Sequence, residues 1–506
     1  MAGRAATSRI IRGRHAISVN DPGHPIPRGW QRVALGDVAD LGTGHTPSRH
    51  HPEYWDGGVP WIGIRDAGAH HGRVIVDTMQ TVSDLGLANS AARLLPKDTV
   101  CLSRTASVGY VVKMGREMAT SQDFVTWSCL EPLDPDYLVN ALLAEGQDIR
   151  RFGEGSTHTT IYFPEVKAFH IDLPPKPEQR RIVTKLDTLT AHVVRARAEL
   201  QRATVLAENL RANVVVAAFR GELSARWRET NSSTIVASLK ETDSAYAQVA
   251  GSPRRKPILS IDWKPNSSIP KSWRWASVDE VVALVQYGTS AKTSDDQGGV
   301  PVLRMGNIQR GTLDWSKLKY LPAAHGEFPS LFLADGDVLF NRTNSLELVG
   351  KSAVYQGRPE PASFASYLIR LRCSAVRPDL LARYLNSPIG RSWVGRFASQ
   401  QVGQANVNGT KLRALGIPLP PMAEQVEISR LLDTAFARAD RLEAEAARAS
   451  ALLDRLESAI LAKAFRGELV PQDPNDEPAS VLLDRIRAER AAAPKPKRGR
   501  RAAADA

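Results

Sequence analysis

The hexapeptide Ala-Phe-Arg-Gly-Glu-Leu occurs twice in this chain, at residues 218–223 and 464–469. A second pair keeps the same shift of 246 residues: Leu173-Pro174-Pro175 with Glu178-Gln179, and Leu419-Pro420-Pro421 with Glu424-Gln425. Leu173–Phe219 is therefore matched by Leu419–Phe465 with no insertion. Two multi-residue matches in one register mark an internal duplication with a fixed-length element, and fixed length suits a spacer or ruler. The period far exceeds the ~20–50 residues of a solenoid repeat, so each unit is a domain followed by a helix.

Between the repeated peptides, apolar residues recur at alternating steps of four and three. The first seam is Ile182, Leu186, Leu189, Val193, Ala196, Leu200, Ala203, Ala207, Leu210, Val214 and Ala217. The second is Ile428, Leu432, Ala435, Ala439, Leu442, Ala446, Ala449, Leu453, Leu456 and Ile460, broken only at Lys463. A sustained 3.5-residue period with charges between is a coiled-coil pattern. Each helix opens after Pro-Pro and closes at Arg-Gly, which are start and stop signals. At 1.5 Å per residue the seam is about 54 Å long. Its many alanines demand a close partner helix. Pairing with a second copy of the chain is one reading; two equal seams in one chain meet at higher effective concentration. Spacing alone does not choose between parallel and antiparallel.

The expected layout is an arm at 1–25, a domain at 26–175, a long helix at 176–222, a linker at 223–268, a second domain at 269–421, a second long helix at 422–468, and an extension at 469–506. A chain of 506 residues holds roughly two to four domains. No run approaches the ~20 apolar residues of a membrane span. The arm, with Arg4, Arg9, Arg12 and Arg14, lacks the apolar core of a signal peptide and reads as disordered. Cys101, Cys129 and Cys373 build no disulfide framework, which favours the cytoplasm. Net charge is +12, which points to an acidic partner, nucleic acid first. Part of that charge lies in the tail at Lys495, Lys497, Arg498, Arg500 and Arg501, after a short amphipathic segment at Val481, Leu482, Leu483 and Ile486.

The two domains share landmarks more than sequence. Ile26-Pro27 with Trp30 matches Ile269-Pro270 with Trp273, Val59-Pro60 matches Val300-Pro301, and Arg104 matches Arg342. Short strand-like runs, such as Thr99–Leu102 and Asp337–Phe340, precede helical stretches at Tyr137–Arg150 and Leu380–Phe397, an α+β domain used twice. Matching frames with divergent loops suggest one scaffold presenting two specificities. The loops are rich in groups that bond bases or phosphates. The first domain offers Thr43, His45, Thr46, Ser48, Arg49, Arg65, Ser103, Arg104, Ser107, Thr157 and His158. The second offers Gln286, Tyr287, Lys292, Arg304, Asn307, Gln309, Asn341, Arg342, Asn344, Gln400, Gln401, Gln404 and Asn406. Arginine pairs bidentately with guanine, and Asn or Gln with adenine.

No catalytic or metal motif stands out. Gly350-Lys351-Ser352 imitates the end of a phosphate-binding loop, but Ser345 replaces its first glycine. His50-His51 and His70-His71 lack the i,i+4 spacing of a helical zinc site. The chain reads as a recogniser, with no catalytic residue, cofactor site or metal site of its own.

These features resemble the specificity (S) subunit of type I restriction–modification enzymes. The resemblance rests on the two Leu-Pro-Pro…Glu-Gln helix starts and the two Ala-Phe-Arg-Gly-Glu-Leu helix ends. It is extended by Thr46-Pro47-Ser48 ahead of Tyr54-Trp55 and Pro60-Trp61-Ile62, and by Leu223-Ser224-Ala225-Arg226-Trp227-Arg228. The resemblance implies two target-recognition domains, each reading half of a bipartite double-stranded DNA site, held apart by an intramolecular antiparallel pair of helices. It implies docking of partners through the helix motifs Pro175, Glu178, Gln179, Phe219, Arg220, Gly221, Pro421, Glu424, Gln425, Phe465, Arg466 and Gly467. Two modification subunits would bring S-adenosylmethionine and adenine-N6 methyl transfer. Two restriction subunits would bring ATP- and Mg-dependent translocation and cleavage. No membrane takes part, and self-association is not required. Competing readings are a stand-alone bivalent DNA clamp or structural coiled-coil protein, an enzyme with a divergent active site, and an S subunit of a methylation-only complex.

Overall fold

A computed structural model describes residues 5–105, 107–154, 159–231, 239–251, 257–401 and 404–492. The chain forms two compact units, one of residues 1–199 with 449–506, the other of residues 200–448. The division cuts through both long helices, Lys176–Phe219 and Met422–Ala464, so each unit holds one of the duplicated domains and part of each helix. Among the described residues, no helix is long and apolar enough to cross a membrane.

Both helices stop short of the expected 222 and 468, for a backbone reason. Gly221 and Gly467 follow them with φ of 77° and 69°, the left-handed conformation that ends a helix and favours glycine. Each glycine also packs on the Ile-Pro that opens a domain. A Cβ on Gly221 would lie 2.3 Å from Pro270 Cγ, and one on Gly467 2.8 Å from Pro27 Cγ. The repeated Arg-Gly thus serves as both a cap and a contact.

Each domain is closed by its own first and last strands. Gln31–Ala34 pairs antiparallel with Phe169–Leu173, and Arg274–Ser277 with Gly416–Leu419, just before each long helix begins. In the first unit Val74–Ile75 adds a parallel edge strand beside Val111–Met114, but inside both units lies an antiparallel four-strand sheet of one order. It is Ala39–Thr43, Phe124–Cys129, Val100–Ser103 and Val111–Met114 in the first, and Val282–Tyr287, Leu368–Cys373, Val338–Asn341 and Ser352–Val354 in the second. A smaller mixed sheet centres on Trp55–Ile62 or Val300–Leu303, each parallel to one neighbour and antiparallel to the other. In the first core Trp127 stacks on Phe169 and Phe152 meets Phe169 edge-on; in the second Phe340 and Trp393 meet at a tilt. The expected helix Leu380–Phe397 is two helices, Pro378–Asn386 and Pro388–Phe397. Pro388 has no N–H to continue the first, and Ser387 caps the second by accepting from Gly390.

The arm is a correction to the expected layout. Residues 11–12 and 17–19 of the supposedly disordered arm form strands, the second of them paired with Phe169–Leu173. The Glu145 carboxylate accepts backbone N–H bonds from Arg14, His15, Ala16 and Ile17, which fixes the arm's turn. The linker contains helices Ala225–Thr230 and Leu239–Ala250. The extension forms helix Ala479–Ala492, with Ala479, Leu482 and Leu483 buried.

The long helices pair antiparallel within each unit. In the first, Ile182 and Leu186 share a core with Ile460, Leu461, Ala464 and Phe465, while Arg197 reaches Asp454 at 2.7 Å and Glu457 at 2.8 Å. In the second, Val214, Val215 and Phe219 pack with Ile428, Leu432 and Phe436, and Arg211 bonds Asp440 and Glu443. The charges explain why a helix chooses its counterpart and not a second copy of itself. Arg197 and Glu443 occupy equivalent repeat positions, as do Arg211 and Glu457. Pairing of like helices would set Arg197 against Arg211, or Glu443 against Glu457, and like charges repel.

Candidate nucleic-acid interface

In the first unit, three loops converge at the ends of the main sheet. Thr43 Oγ1 donates to the Phe124 carbonyl at 2.9 Å, and His45 N donates to the Thr120 carbonyl at 2.9 Å. Thr46 Oγ1 donates to Gln122 Oε1, and Arg104 Nη2 donates to the Gln122 carbonyl at 3.1 Å. Gln122 was not among the sequence candidates, yet it joins two of them. Its signal was a polar Ser121-Gln122-Asp123 turn entering a buried strand. The Arg49 guanidinium lies 3.8 Å from the Trp55 ring centre and donates to Gln80 Oε1 at 2.9 Å. Ser48, Arg49 and Arg65 are exposed. Thr157 and His158 lie outside the described residues.

Ser103 is fully buried and is corrected from a DNA contact to a loop brace: its Oγ donates to the Ser107 carbonyl and accepts from Tyr110 N. Ser107 is half-buried beside it.

In the second unit, Arg342 lies with its guanidinium 5.0 Å from the Tyr287 ring centre and donates to the Ser366 carbonyl at 3.3 Å. Tyr287 is 42% exposed, and its hydroxyl accepts from Gly409 N at 2.7 Å. Asn344 pairs through Thr343-Asn344 with strand Gln404–Asn406, which in turn pairs with Ser399–Gln401. Asn344, Asn406 and the backbones of Gln400, Gln401 and Gln404 thus share one small sheet. Lys292 and Gln309 are exposed elsewhere on the domain. Asn307 and Asn341 are corrected; Gln286 is half-buried. Asn307 is 3% exposed and holds the Arg304 amide and the Asp314 carbonyl. Asn341 is fully buried and donates to the Leu348 carbonyl. Gln286 is bonded by Arg370. Arg304 is half-buried and donates to the Lys317 carbonyl at 3.3 Å.

The helix motifs prove to be internal anchors, which corrects their reading as a docking surface. Glu178 accepts the Trp30 indole N–H at 3.1 Å, and Glu424 that of Trp273 at 2.8 Å. Gln179 bonds Asp134 N and the Pro132 and Pro174 carbonyls, while Gln425 bonds Arg377 N and the Ala375 and Pro420 carbonyls. Pro175, Pro421, Phe219, Phe465 and Gly221 are buried and Gly467 is half-buried; of the set only Arg220 and Arg466 are exposed. The Glu-Gln pair recurs because it locks the helix start to the strand-closing tryptophan and to the loop before the domain's own helix.

Both halves of the duplication are similar to known proteins. The family described as type I restriction modification DNA specificity domain matches residues 27–201 and again 270–448. The specificity subunit of type I restriction enzyme EcoKI of Escherichia coli K12 is 29% identical over 334 residues, 64% of each chain. That of EcoDI of Escherichia coli is 26% identical over 92% of this chain and 96% of its own. A solved chain of a type I R-M system superposes with a TM-score of 0.64 at 21% identity, covering 88% of this chain and 100% of that one. The HsdS subunit of Thermoanaerobacter tengcongensis gives 0.53 at 21% identity, over 88% and 99%; these two share the fold. With a family match over both halves of the duplication, and over more than half of its length, the chain belongs to the type I restriction–modification DNA specificity family.

Proposed function

We propose that this chain is the DNA-reading subunit of a type I restriction–modification complex and carries out no chemistry itself. Each recognition domain reads one half of an asymmetric bipartite site in double-stranded DNA, and the paired helices set the gap. Two modification subunits supply S-adenosylmethionine and adenine-N6 methylation, and two restriction subunits supply ATP-driven translocation and cleavage, in the cytoplasm. The observation that carries the reading is one sheet order used twice with unlike loops at the strand ends. The net charge of +12 supports an acidic ligand. Duplicate docking is supported by a repeated apolar face on the helices. Leu206 and Leu452, at matching positions, are 66% and 62% exposed, and Leu210 and Leu456 are 39% and 50% exposed.

Long-read methylation mapping tests the reading, comparing cells that co-express this chain and its modification subunit with cells lacking only this chain. The expected result is a new N6-methyladenine motif in two unlike halves with a fixed gap. Soluble, co-purifying proteins that yield no motif would refute it and leave a stand-alone clamp. Methylation without restriction would place the chain in a methylation-only complex. Replacing residues 269–415 with the second domain of another family member is expected to change one half-site only. A change in both halves would end the modular account.

A further inference from the structure

Half-buried arginines in this protein are, as a rule, neutralised. Arg32 bonds Asp172 and Asp21, Arg228 bonds Glu424, Arg372 bonds Asp337, and Arg413 bonds Asp279. Among the described residues Arg104, Arg304, Arg342 and Arg391 are exceptions; Arg391 spends both Nη groups on the Val349 and Leu346 carbonyls and Arg304 has no counterpart in the first unit, whereas Arg104 and Arg342 occupy equivalent positions. Neither forms an ion pair with any carboxylate among the described residues. Asp123, whose field reaches Arg104, is engaged by the hydroxyls of Thr105 and Ser121. Burial pushes the Arg104 guanidinium pKa down, the mark of a cation with too little compensation.

The two sites are built alike. Each arginine directly follows the third strand of its sheet, Val100–Ser103 or Val338–Asn341. Each guanidinium carbon sits 5.0 Å from an aromatic ring centre, Phe163 or Tyr287. One Nη of each donates to a backbone carbonyl, that of Gln122 or Ser366, and each Nε is buried without a partner. The arginine carbonyls accept from Ile161 N and Val407 N, both at 2.9 Å and at matching repeat positions. Beyond these residues the loops part company: Thr105 and Ser107 follow in one, Thr343 and Asn344 in the other. An arginine held the same way in both units is ill suited to telling unlike half-sites apart. It suits a feature that every half-site has, the phosphodiester backbone, which positions a reader without carrying sequence information.

We propose that Arg104 and Arg342 are phosphate clamps, one per recognition domain, each gripping a backbone phosphate of duplex DNA and setting its domain's register. The proposal rests on the DNA-reading function above. Its test uses the full chain with its modification subunit and two labelled duplexes, one carrying the mapped site and one scrambled, over a salt series. Arg104→Ala and Arg342→Ala are each expected to weaken both duplexes by a similar factor, about tenfold. Each should lower the salt slope by about 1 and leave the methylation motif unchanged. Arg104→Lys and Arg342→Lys should keep most of the affinity, since a phosphate accepts an ammonium as a point charge. The proposal is overturned if a variant relaxes the motif at one base, which would make the arginine a base reader. Unchanged affinity and slope in a variant with wild-type melting would overturn it too. If the wild-type complex produces no bipartite motif, the DNA-specificity reading fails, while the salt slope on the scrambled duplex still decides the clamp.

Discussion

Glu424→Ala is expected to destabilise the second unit by about 3 kcal/mol. The Glu424 carboxylate is 1% exposed and accepts from three groups at once: Trp273 Nε1 at 2.8 Å, Ser224 Oγ at 2.7 Å and Arg228 Nη1 at 2.5 Å. Removing it orphans a buried indole N–H and leaves Arg228 uncompensated. The arginine side chain retains 22% exposure and partial hydration, which holds the cost near the low end for a broken buried pair. For a unit of this size the melting temperature should fall by about 6–12 °C. Glu424→Gln, which keeps an acceptor for the indole, should cost less. The exposed Glu445→Ala serves as the surface reference. A loss for Glu424→Ala no larger than for Glu445→Ala would show the anchor to be dispensable. The double variant with Trp273→Phe should be less than additive, because the two groups share one bond.

What the chain discloses before folding follows the reach of each interaction. The long helices were legible because a seven-residue apolar period is local and repeats many times. Their ends were misplaced by three or four residues, because the stop is decided by a left-handed glycine packed against a proline far along the chain, Gly221 on Pro270 and Gly467 on Pro27. The first 25 residues looked disordered because their order comes from elsewhere, a carboxylate at Glu145 and a strand edge at Phe169–Leu173. Among the loop candidates, residue type identified chemistry but not direction. Asn341 and Arg342 are neighbours, yet the first closes a buried strand while the second, just past its end, lies beside Tyr287. Antiparallel pairing was undecided in the apolar seam. Its determinant sits outside the seam, in arginines on one helix that meet acidic residues on the other.

On the bipartite reading proposed above, adding one four-residue step to both long helices is expected to widen the untouched gap of the DNA site while leaving both half-sequences unchanged. The natural place lies between the two ion-pair anchors, after Glu199 and after Arg448. Arg197 with Asp454 and Glu457 stays on one side, and Arg211 with Asp440 and Glu443 on the other. A four-residue step preserves the seam, since steps of four and three already alternate along it, and matching insertions keep the antiparallel register. Four residues extend a helix by about 6 Å, and stacked base pairs rise about 3.4 Å each, so the gap should grow by about one or two base pairs. The same step turns the helix slightly more than a full revolution, so the domains' loops remain aimed within about 40° of their former direction. Methylation mapping of the lengthened chain reads the result directly. An altered half-sequence with an unchanged gap would sink the ruler, because it would mean that the helices shape the readers and do not space them.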